Sequence, residues 1–258
     1  MKILVCLKQV PAKDAPLKLA ADTRWIRDDV SYEVNEPDAF ALEAALRLKE
    51  AHGGEVAALT VGPARAAQVL REALAKGADR ALHLETAADS GPLDPYATAE
   101  AITRALAGEN FDLFLTGLQS DDAGYGQTGV IVAELLGAPH ATIIMRVEPA
   151  GERRIRVKRE LESGNFQQVE MPTPAVLTIQ SGIDKLRYAT LMGIKQAKNK
   201  PLTTMTLESL GVAATLNRQR ILRLVAPAKR KGTVMIAGSA KEQAAELVRR
   251  LRQEARVI

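Results

Sequence analysis

The sequence predicts an α/β protein built on a mostly parallel, doubly wound sheet, and two observations point to this fold class. Up to about residue 145, short apolar runs alternate with longer segments of helical periodicity. Such alternation is typical of parallel sheets covered by helices on both faces. The chain has 258 residues, 47% hydrophobic and 26% charged, which suits one large or two small globular domains.

The apolar runs predict five strands and the periodic segments predict four helices. The strands are expected at residues 2–7, 56–61, 80–84, 112–116 and 142–147. The helices are expected at residues 39–51, 64–76, 96–106 and 127–136, where Ala and Leu recur at three- and four-residue intervals. The first strand and first helix are separated by an insertion, residues 11–34. Within it, residues 25–27 and 31–34 are expected to form a small ribbon.

The pattern changes after Pro149. Residues 155–161 and 166–171 alternate polar and apolar side chains around a turn, which predicts a β-hairpin extension, and residues 174–179 predict another strand of the sheet. An exposed loop with a short helix is expected up to Lys200. A connector at residues 226–232 precedes an amphipathic helix at residues 239–257. The predicted parts are an α/β domain (1–182, with the hairpin at 153–171), a loop (183–200) and a C-terminal arm (201–258).

Composition excludes several classes of function. The single cysteine, Cys6, rules out an internal disulfide and paired-thiol zinc sites, and the three histidines lack metal-ligand spacing, so no metal site is expected. No charge-free stretch approaches the roughly 18 residues of a membrane span. The opening residues are too few for a signal peptide, so we expect a cytoplasmic protein without membrane insertion.

The two halves of the chain carry opposite charge. Residues 1–150 hold 14 basic and 22 acidic side chains, whereas residues 151–258 hold 21 and 9. A basic half can bind nucleic acid, an acidic partner or an acidic neighbouring segment. The chain has only nine aromatic residues, and none lies from Arg218 onward, so base stacking has little to use. A protein partner is therefore favoured over nucleic acid.

The predicted strand ends are where a ligand should bind, because ligands of open parallel sheets lie outside the carboxyl ends of the strands. Gly117 ends the fourth strand and opens a small polar loop that leads directly into a helix. Gly124, Gly126 and Gly129 would let backbone amides approach an anion at the positive end of that helix. The loop indicates either a phosphate-bearing ligand or a glycine-rich turn that only caps the helix. Its spacing matches neither the dinucleotide fingerprint nor the P-loop.

A second candidate is the motif Asn35-Glu-Pro-Asp38, just before the helix expected from Ala39. Asp38 is expected to cap that helix, and Asn35 to bond either a ligand or the turn. Cys6 lies in an apolar strand and is expected to act as a small buried hydrophobe. The sequence contains no Ser/His/Asp, Cys/His or paired-carboxylate arrangement, so no catalytic residue is predicted.

Several segments, in order along the whole chain, resemble the β subunit of electron transfer flavoprotein. They include the opening Met1-Lys-Ile-Leu-Val-Cys-Leu-Lys-Gln-Val-Pro, the motifs Gly117-Leu-Gln-Ser-Asp-Asp and Gln127-Thr-Gly, and Arg187-Tyr-Ala-Thr-Leu191. The remaining matching segments are residues 35–38, 42–50, 62–64, 74–80, 157–164 and 174–179. The resemblance implies a Rossmann-like sheet similar to that of the adenine-nucleotide α-hydrolases.

The resemblance implies a structural AMP in this subunit and an FAD held mainly by an α subunit in a heterodimer. By position, Cys6 and Val61 would line the adenine through backbone contacts, and Asn35 and Asp38 would flank the nucleoside. The loop from Gly117 would wrap the phosphate. Its implied ligand-binding residues are Gly117, Gln119, Ser120, Asp121, Asp122, Gly124, Tyr125, Gly126, Gln127 and Thr128.

The resemblance also implies electron transfer without catalytic residues in this chain. The family's flavin takes electrons from primary flavoprotein dehydrogenases, such as the acyl-CoA dehydrogenases of fatty acid β-oxidation, and passes them to a quinone reductase or another acceptor. Residues 183–200 match the family's partner-recognition loop, with Arg187 and Tyr188 beside an apolar anchor, Leu191. The alternative for Leu191 is inward packing of a local helix. The C-terminal arm would contact the α subunit.

The sequence leaves alternatives open for the ligand and for the function. Many family members have a tyrosine after the first strand that approaches the flavin, whereas this chain has Pro11-Ala-Lys13, so no flavin contact is assigned there. Electron-bifurcating relatives bind a second FAD in place of AMP, and the bulky Tyr125 favours the AMP form. A stand-alone adenine-nucleotide sensor would share the sheet and loop. An NAD-dependent dehydrogenase is a weaker rival because Lys8-Gln-Val-Pro11 lacks the required glycines.

Overall fold

The computed structural model describes residues 1–87, 91–212, 217–227 and 233–258. These residues divide into two compact units, Met1–Leu224 and Val225–Ile258. The predicted connector at residues 226–232 lies outside the described residues from residue 228 to residue 232.

The first unit contains eleven strands and five α-helices among its described residues. The strands are β1 (Lys2–Cys6), β2 (Gln9–Pro11), β3 (Tyr32–Val34), β4 (Glu55–Gly62), β5 (Arg80–Glu85), β6 (Leu113–Gly117), β7 (His140–Pro149), β8 (Arg154–Glu160), β9 (Phe166–Pro172), β10 (Ala175–Ile179) and β11 (Leu202–Thr206). The helices are α1 (Glu36–His52), α2 (Ala67–Lys76), α3 (Pro95–Ala105), α4 (Thr128–Leu136) and α5 (Leu191–Ala197).

Nine strands form one sheet in the order β11-β5-β4-β1-β6-β10-β7-β8-β9. Every pair from β11 to β7 is parallel, while β8 and β9 add antiparallel to β7. Helices flank this sheet, so the predicted fold class, a mostly parallel α/β sheet with a hairpin extension, is confirmed. The hairpin is β8 and β9, close to the predicted bounds.

The helices pack on the sheet because they carry apolar stripes, and α1, α2 and α4 each end before a glycine. Helix α1 buries Leu42, Leu46 and Leu48 and ends at Gly53, whose φ of 72° suits glycine. Helices α1 and α2 contribute to one apolar cluster of the core, and α3 and α4 contribute to another. The first cluster contains Ile3, Val5 and Leu115, whereas the second contains Leu4 and Phe114. Alternate residues of each strand thus face opposite sides.

Two details differ from the sequence-based prediction. Residues 31–34 do form a strand, but β3 pairs with β2, so the predicted ribbon partner at residues 25–27 was wrong; there only Ile26 makes an isolated bridge, to Leu19. Strand β11 was not predicted, and it pairs in parallel with β5 at the sheet edge. The sequence of β11, Leu-Thr-Thr-Met-Thr, does not alternate strictly between apolar and polar side chains, so its strand pattern is weak.

The second unit contains the predicted C-terminal helix. Helix α6 (Ala240–Arg250) begins with a capping box in which Ser239 and Glu242 bond each other's backbone, and it continues as a π-turn (Leu251–Ala255). Its Leu247 and Val248 are exposed. No helix in the described part of the chain is long and apolar enough to cross a membrane.

Candidate functional site

Strands β4, β1 and β6 are neighbours and parallel, so their carboxyl ends meet at one edge of the sheet. Asp38 joins two of these ends. One carboxylate oxygen accepts a hydrogen bond from the Lys8 N–H at 2.7 Å, and the other accepts from the Gly117 N–H at 2.8 Å. The first turn of α1 is thereby held between the end of β6 and the residues that follow β1.

The predicted helix-capping role of Asp38 is wrong. Helix α1 begins at Glu36, with Asn35 as its N-cap residue, so Asp38 lies inside the first turn and bonds other elements. Pro37 starts the helix earlier than the apolar pattern indicates, because its ring favours the first helical positions. Burial raises the pKa of Asp38 to about 6, against the opposing effect of the hydrogen bonds from Lys8, Gly117 and Asn35.

Asn35 connects α1 to the glycine-rich loop, residues 117–127. Its amide nitrogen donates to the Gln119 carbonyl at 3.0 Å, and its amide oxygen accepts from the Asp121 N–H at 2.9 Å. Asn35 is buried, and its side chain does not cap the backbone of α1. The bond to the loop is neither of the two roles considered from the sequence, and contact of Asn35 with a ligand stays a prediction.

Lys8 supplies a cation beside the loop. Its Nζ lies 2.6 Å from a carboxylate oxygen of Asp122 and 3.3 Å from the hydroxyl of Ser120. Asp121 contacts a different group, the backbone N–H of Glu36 at 3.4 Å. Lys8 was not among the site residues predicted from the sequence. Its position directly after the first predicted strand could have identified it.

Glycine is required where the loop leaves β6. A Cβ at Gly117 would lie 2.5 Å from the Asp38 carboxylate and 2.6 Å from Pro37. Gly124 and Gly126 have φ values of 64° and 62°, which side chains rarely adopt. A Cβ at Gly129 would lie 2.7 Å from Thr178, so the first turn of α4 rests directly on the sheet.

The loop ends at the N-terminus of α4, which presents amide groups. The N-cap residue Gln127 makes no side-chain hydrogen bond to the first turn of α4 in the described structure. The Tyr125, Gly126 and Gln127 positions are exposed. First-turn N–H groups together with the positive end of the helix dipole favour an anion.

Cys6 is the last residue of β1 and Val61 is the penultimate residue of β4. Both are partly buried and pack against the core on the sheet face that α3 and α4 cover. Burial raises the pKa of the Cys6 thiol, and the nearby Asp38 charge raises it further. The thiol is therefore neutral, and reactivity as a nucleophile is disfavoured. His52 and His140 are exposed, and no group of His, Cys, Asp or Glu in the described residues is arranged to hold a metal ion.

Asp94 is a further residue that sequence analysis missed. It caps α3 by accepting from Ala97 at 2.8 Å, and it also accepts from the backbone N–H groups of Arg218 and Gln219. Gln219 lies 3.5 Å from the Gln127 side chain. The chain segment at 217–219 is thus tied beside the start of α4. The motif Asp-Pro was a visible cap signal, but its bonds to residues more than 120 positions away were not predictable.

The second predicted site is the recognition segment, residues 183–200. Tyr188 is 93% exposed and Leu191 is 88% exposed, and Leu191 is the first residue of α5. The alternative for Leu191, inward packing, does not apply. Arg187 instead has its guanidinium bonded within the chain, to Glu43 and Glu50 of α1.

A comparison with known proteins adds the family. The electron transfer flavoprotein domain model matches residues 23–210. The electron transfer flavoprotein subunit beta of Methylophilus methylotrophus is 39% identical, over 96% of this chain and 97% of its own length. The subunit of the same name from Bacillus subtilis is 35% identical over the whole of both chains.

This chain belongs to the electron transfer flavoprotein β-subunit family. The resemblance stated from the sequence is therefore confirmed, and with it a role in electron transport. A relative from Anaerotignum propionicum, named acryloyl-CoA reductase electron transfer subunit gamma, is 34% identical over 98% of this chain and 99% of its own. The family thus includes electron transfer subunits under more than one name.

Proposed function

We propose that this chain is the β subunit of a heterodimeric electron transfer flavoprotein, that it binds a structural AMP, and that it docks a primary dehydrogenase. The observation that carries the proposal is the glycine-rich loop at the ends of β1, β4 and β6, held by Asn35 and Lys8. It occurs in a chain whose full-length relatives are named electron transfer flavoprotein subunit beta.

The site suits a nucleotide monophosphate. The phosphate would bind at the first turn of α4, because the first amides of a helix lack an intrahelical partner and the Gln127 side chain does not cap them. The glycines of the loop would let the phosphate approach the backbone closely. Cys6 and Val61 would line the adenine, and the Asn35 and Asp38 region would flank the nucleoside. Because Asn35 and Asp38 are already bonded to the loop and the strand ends, bound AMP would stabilise the joint between α1 and β6.

AMP fits this loop better than a second FAD. Tyr125 is a bulky residue in a loop that resembles the AMP form of the family. Asp122 of the same loop forms an ion pair with Lys8. A stand-alone nucleotide sensor would use the same site. A sensor would not explain the exposed apolar side chains of the recognition segment. Nor would it explain those of the second unit, among them Met235, which is 86% exposed.

The electrons would be carried by an FAD held mainly by an α subunit, with this chain as its partner. When bound, the FAD would supply the redox chemistry between a primary dehydrogenase and a quinone reductase or another acceptor. This chain supplies the docking surface for the dehydrogenase and no catalytic residue. Leu191 would enter an apolar pocket of the dehydrogenase, and Lys195 and Lys198 would favour acidic residues around it.

Heterodimer formation can be tested by co-expressing the full chain with the α subunit of the same organism. We expect a 1:1 complex by size and mass that contains one FAD. Met235→Asp, in the second unit, should weaken the complex, because it places a charge on exposed apolar surface that the α subunit would bury. Leu17→Asp makes the same change at an exposed leucine of the first unit and serves as the control. A flavin-free homodimer that ignores the α subunit would overturn the proposal.

A further inference from the structure

We infer that Arg187 is a positioning residue, which holds the recognition segment in its binding conformation before any partner arrives. The inference rests on the proposed docking function and deepens it. Its basis is a set of ion pairs and backbone contacts that fasten the recognition segment to α1 and α2 on both sides of the exposed Leu191.

The first fastening is on α1. The Arg187 guanidinium lies 2.9 Å from Glu43 and 2.5 Å from Glu50, and the Arg187 backbone N–H donates to Glu43 at 3.2 Å. Arg47 of the same helix lies 3.2 Å from Asp184 and donates to the Lys185 carbonyl at 3.4 Å. Positions 43, 47 and 50 share one helix face, so a single stripe of α1 holds the start of the segment.

Burial makes this ion pair more than a surface contact. The Glu43 side chain is only 3% exposed, and a buried carboxylate is costly unless a cation and hydrogen bonds compensate it. Burial alone would raise the pKa of Glu43, but the hydrogen bonds from Arg187 outweigh that effect and the pKa stays below its ordinary value. Glu43 therefore remains charged at neutral pH, and Arg187 has a fixed partner.

The second fastening is on α2. A Cβ at Gly193 would lie 2.2 Å from the Ala75 carbonyl oxygen, so α5 touches the backbone of α2 directly. Thr190 caps α5 by accepting from the Gly193 N–H at 3.0 Å. Lys200 then donates to the Leu74 and Ala78 carbonyls, at the C-terminal end of α2. The chain continues into β11, which is part of the sheet.

The exposed side chains lie between these two fastenings. Tyr188 and Leu191 follow Arg187 by one and four residues, and Met192 is 64% exposed. A segment that is ordered beforehand loses less conformational freedom on binding, so the partner gains affinity without a new contact. The positive charge of Arg187 is used within the chain. Arg187 would thus affect docking through Leu191, not through a contact of its own.

A double-mutant cycle tests this inference in the heterodimer with FAD bound. Arg187→Ala should raise the dehydrogenase's KM for the heterodimer about threefold to tenfold with little change in kcat, because ordering the segment now opposes binding. In the Leu191→Ala background the same change should have less than about a twofold effect, because there is no anchor left to position. Glu50→Gln, at an exposed carboxylate, should give a smaller effect in the same direction and does not threaten folding.

Trypsin provides a readout that does not depend on the dehydrogenase. Cleavage after Lys195 and Lys198 should become faster in the Arg187→Ala heterodimer than in the unmodified one. Arg104→Ala is the matched control. Arg104 lies on α3, which belongs to the other core cluster, where it pairs with Glu100 and donates to the Gly211 carbonyl at 2.8 Å. Equal effects of Arg187→Ala in both backgrounds, or unchanged cleavage, would overturn the positioning role. An inert Leu191→Ala would instead overturn the proposed docking function.

Discussion

Leu191→Ala is expected to lower the second-order rate constant for flavin reduction by the primary dehydrogenase about tenfold or more. Leu191 is 88% exposed at the start of α5, so its removal takes away almost no intramolecular packing. An apolar anchor that enters a partner's pocket is worth about 2 kcal/mol or more when truncated, and 1.4 kcal/mol is already tenfold. Folding and cofactor content should be unaffected.

The measurement is stopped-flow reduction of the heterodimer by the dehydrogenase that reduces the unmodified protein. Leu17→Ala is the control, because Leu17 is an exposed leucine of the first insertion, outside the recognition segment. Reduction of the flavin by a small chemical reductant should be the same in all three proteins. Unchanged dehydrogenase-coupled rates for Leu191→Ala would remove this residue from the anchor role.

Asp38→Asn is expected to change how the stability of the protein depends on pH. The pKa of Asp38 is about 6 in the folded chain and has an ordinary value of 3.8, so between about pH 4 and pH 6 the folded protein holds a proton that the unfolded chain has released. Stability therefore falls as pH rises through this window. The full difference is about 3 kcal/mol, from 1.36 kcal/mol per pKa unit.

Because Asn cannot ionise, the Asp38→Asn variant does not lose stability in this way as the pH rises. Urea unfolding at half-unit steps from pH 4 to pH 7 should show the unmodified protein losing about 3 kcal/mol relative to Asp38→Asn. Asp112→Asn is a useful comparison, because the half-buried Asp112 accepts from the Lys2 N–H at 2.7 Å near the opposite end of β1. Parallel pH curves for Asp38→Asn and the unmodified protein would contradict the buried, charged state of Asp38 at neutral pH.

The parallel core of the fold was predictable because each element carries a local signal. Strands β1, β4 and β6 are mostly apolar, and α1 and α3 combine an apolar stripe with proline near the start. Strand β11 could not be predicted in the same way, because an edge strand with three threonines buries too little surface to produce a pattern. The strand that pairs with β3 was also missed. Gln9–Pro11 follows the first strand closely in sequence, but in the structure it is a separate strand that pairs with β3.

The location of the candidate site was predictable, and its internal bonds were not. Glycine spacing and the strand ends located the loop, because those features depend on neighbours in sequence. The bonds of Asp38 to Lys8 and Gly117 join positions up to 79 residues apart, and only the packed sheet brings them together. Arg187 shows the same limit. Its sequence position suggested a contact with a partner, whereas the pairing with Glu43 depends on the path of the chain over α1.

The proposed structural AMP is tested most directly by identifying the small molecule that this chain retains. The purified protein is denatured, and the released compound is identified by chromatography and mass. We expect about one equivalent of AMP per chain and no flavin from this subunit. Released FAD would indicate a second flavin in place of AMP, and ATP or an empty site would favour a nucleotide sensor. Either result would contradict a structural AMP at the loop that begins at Gly117.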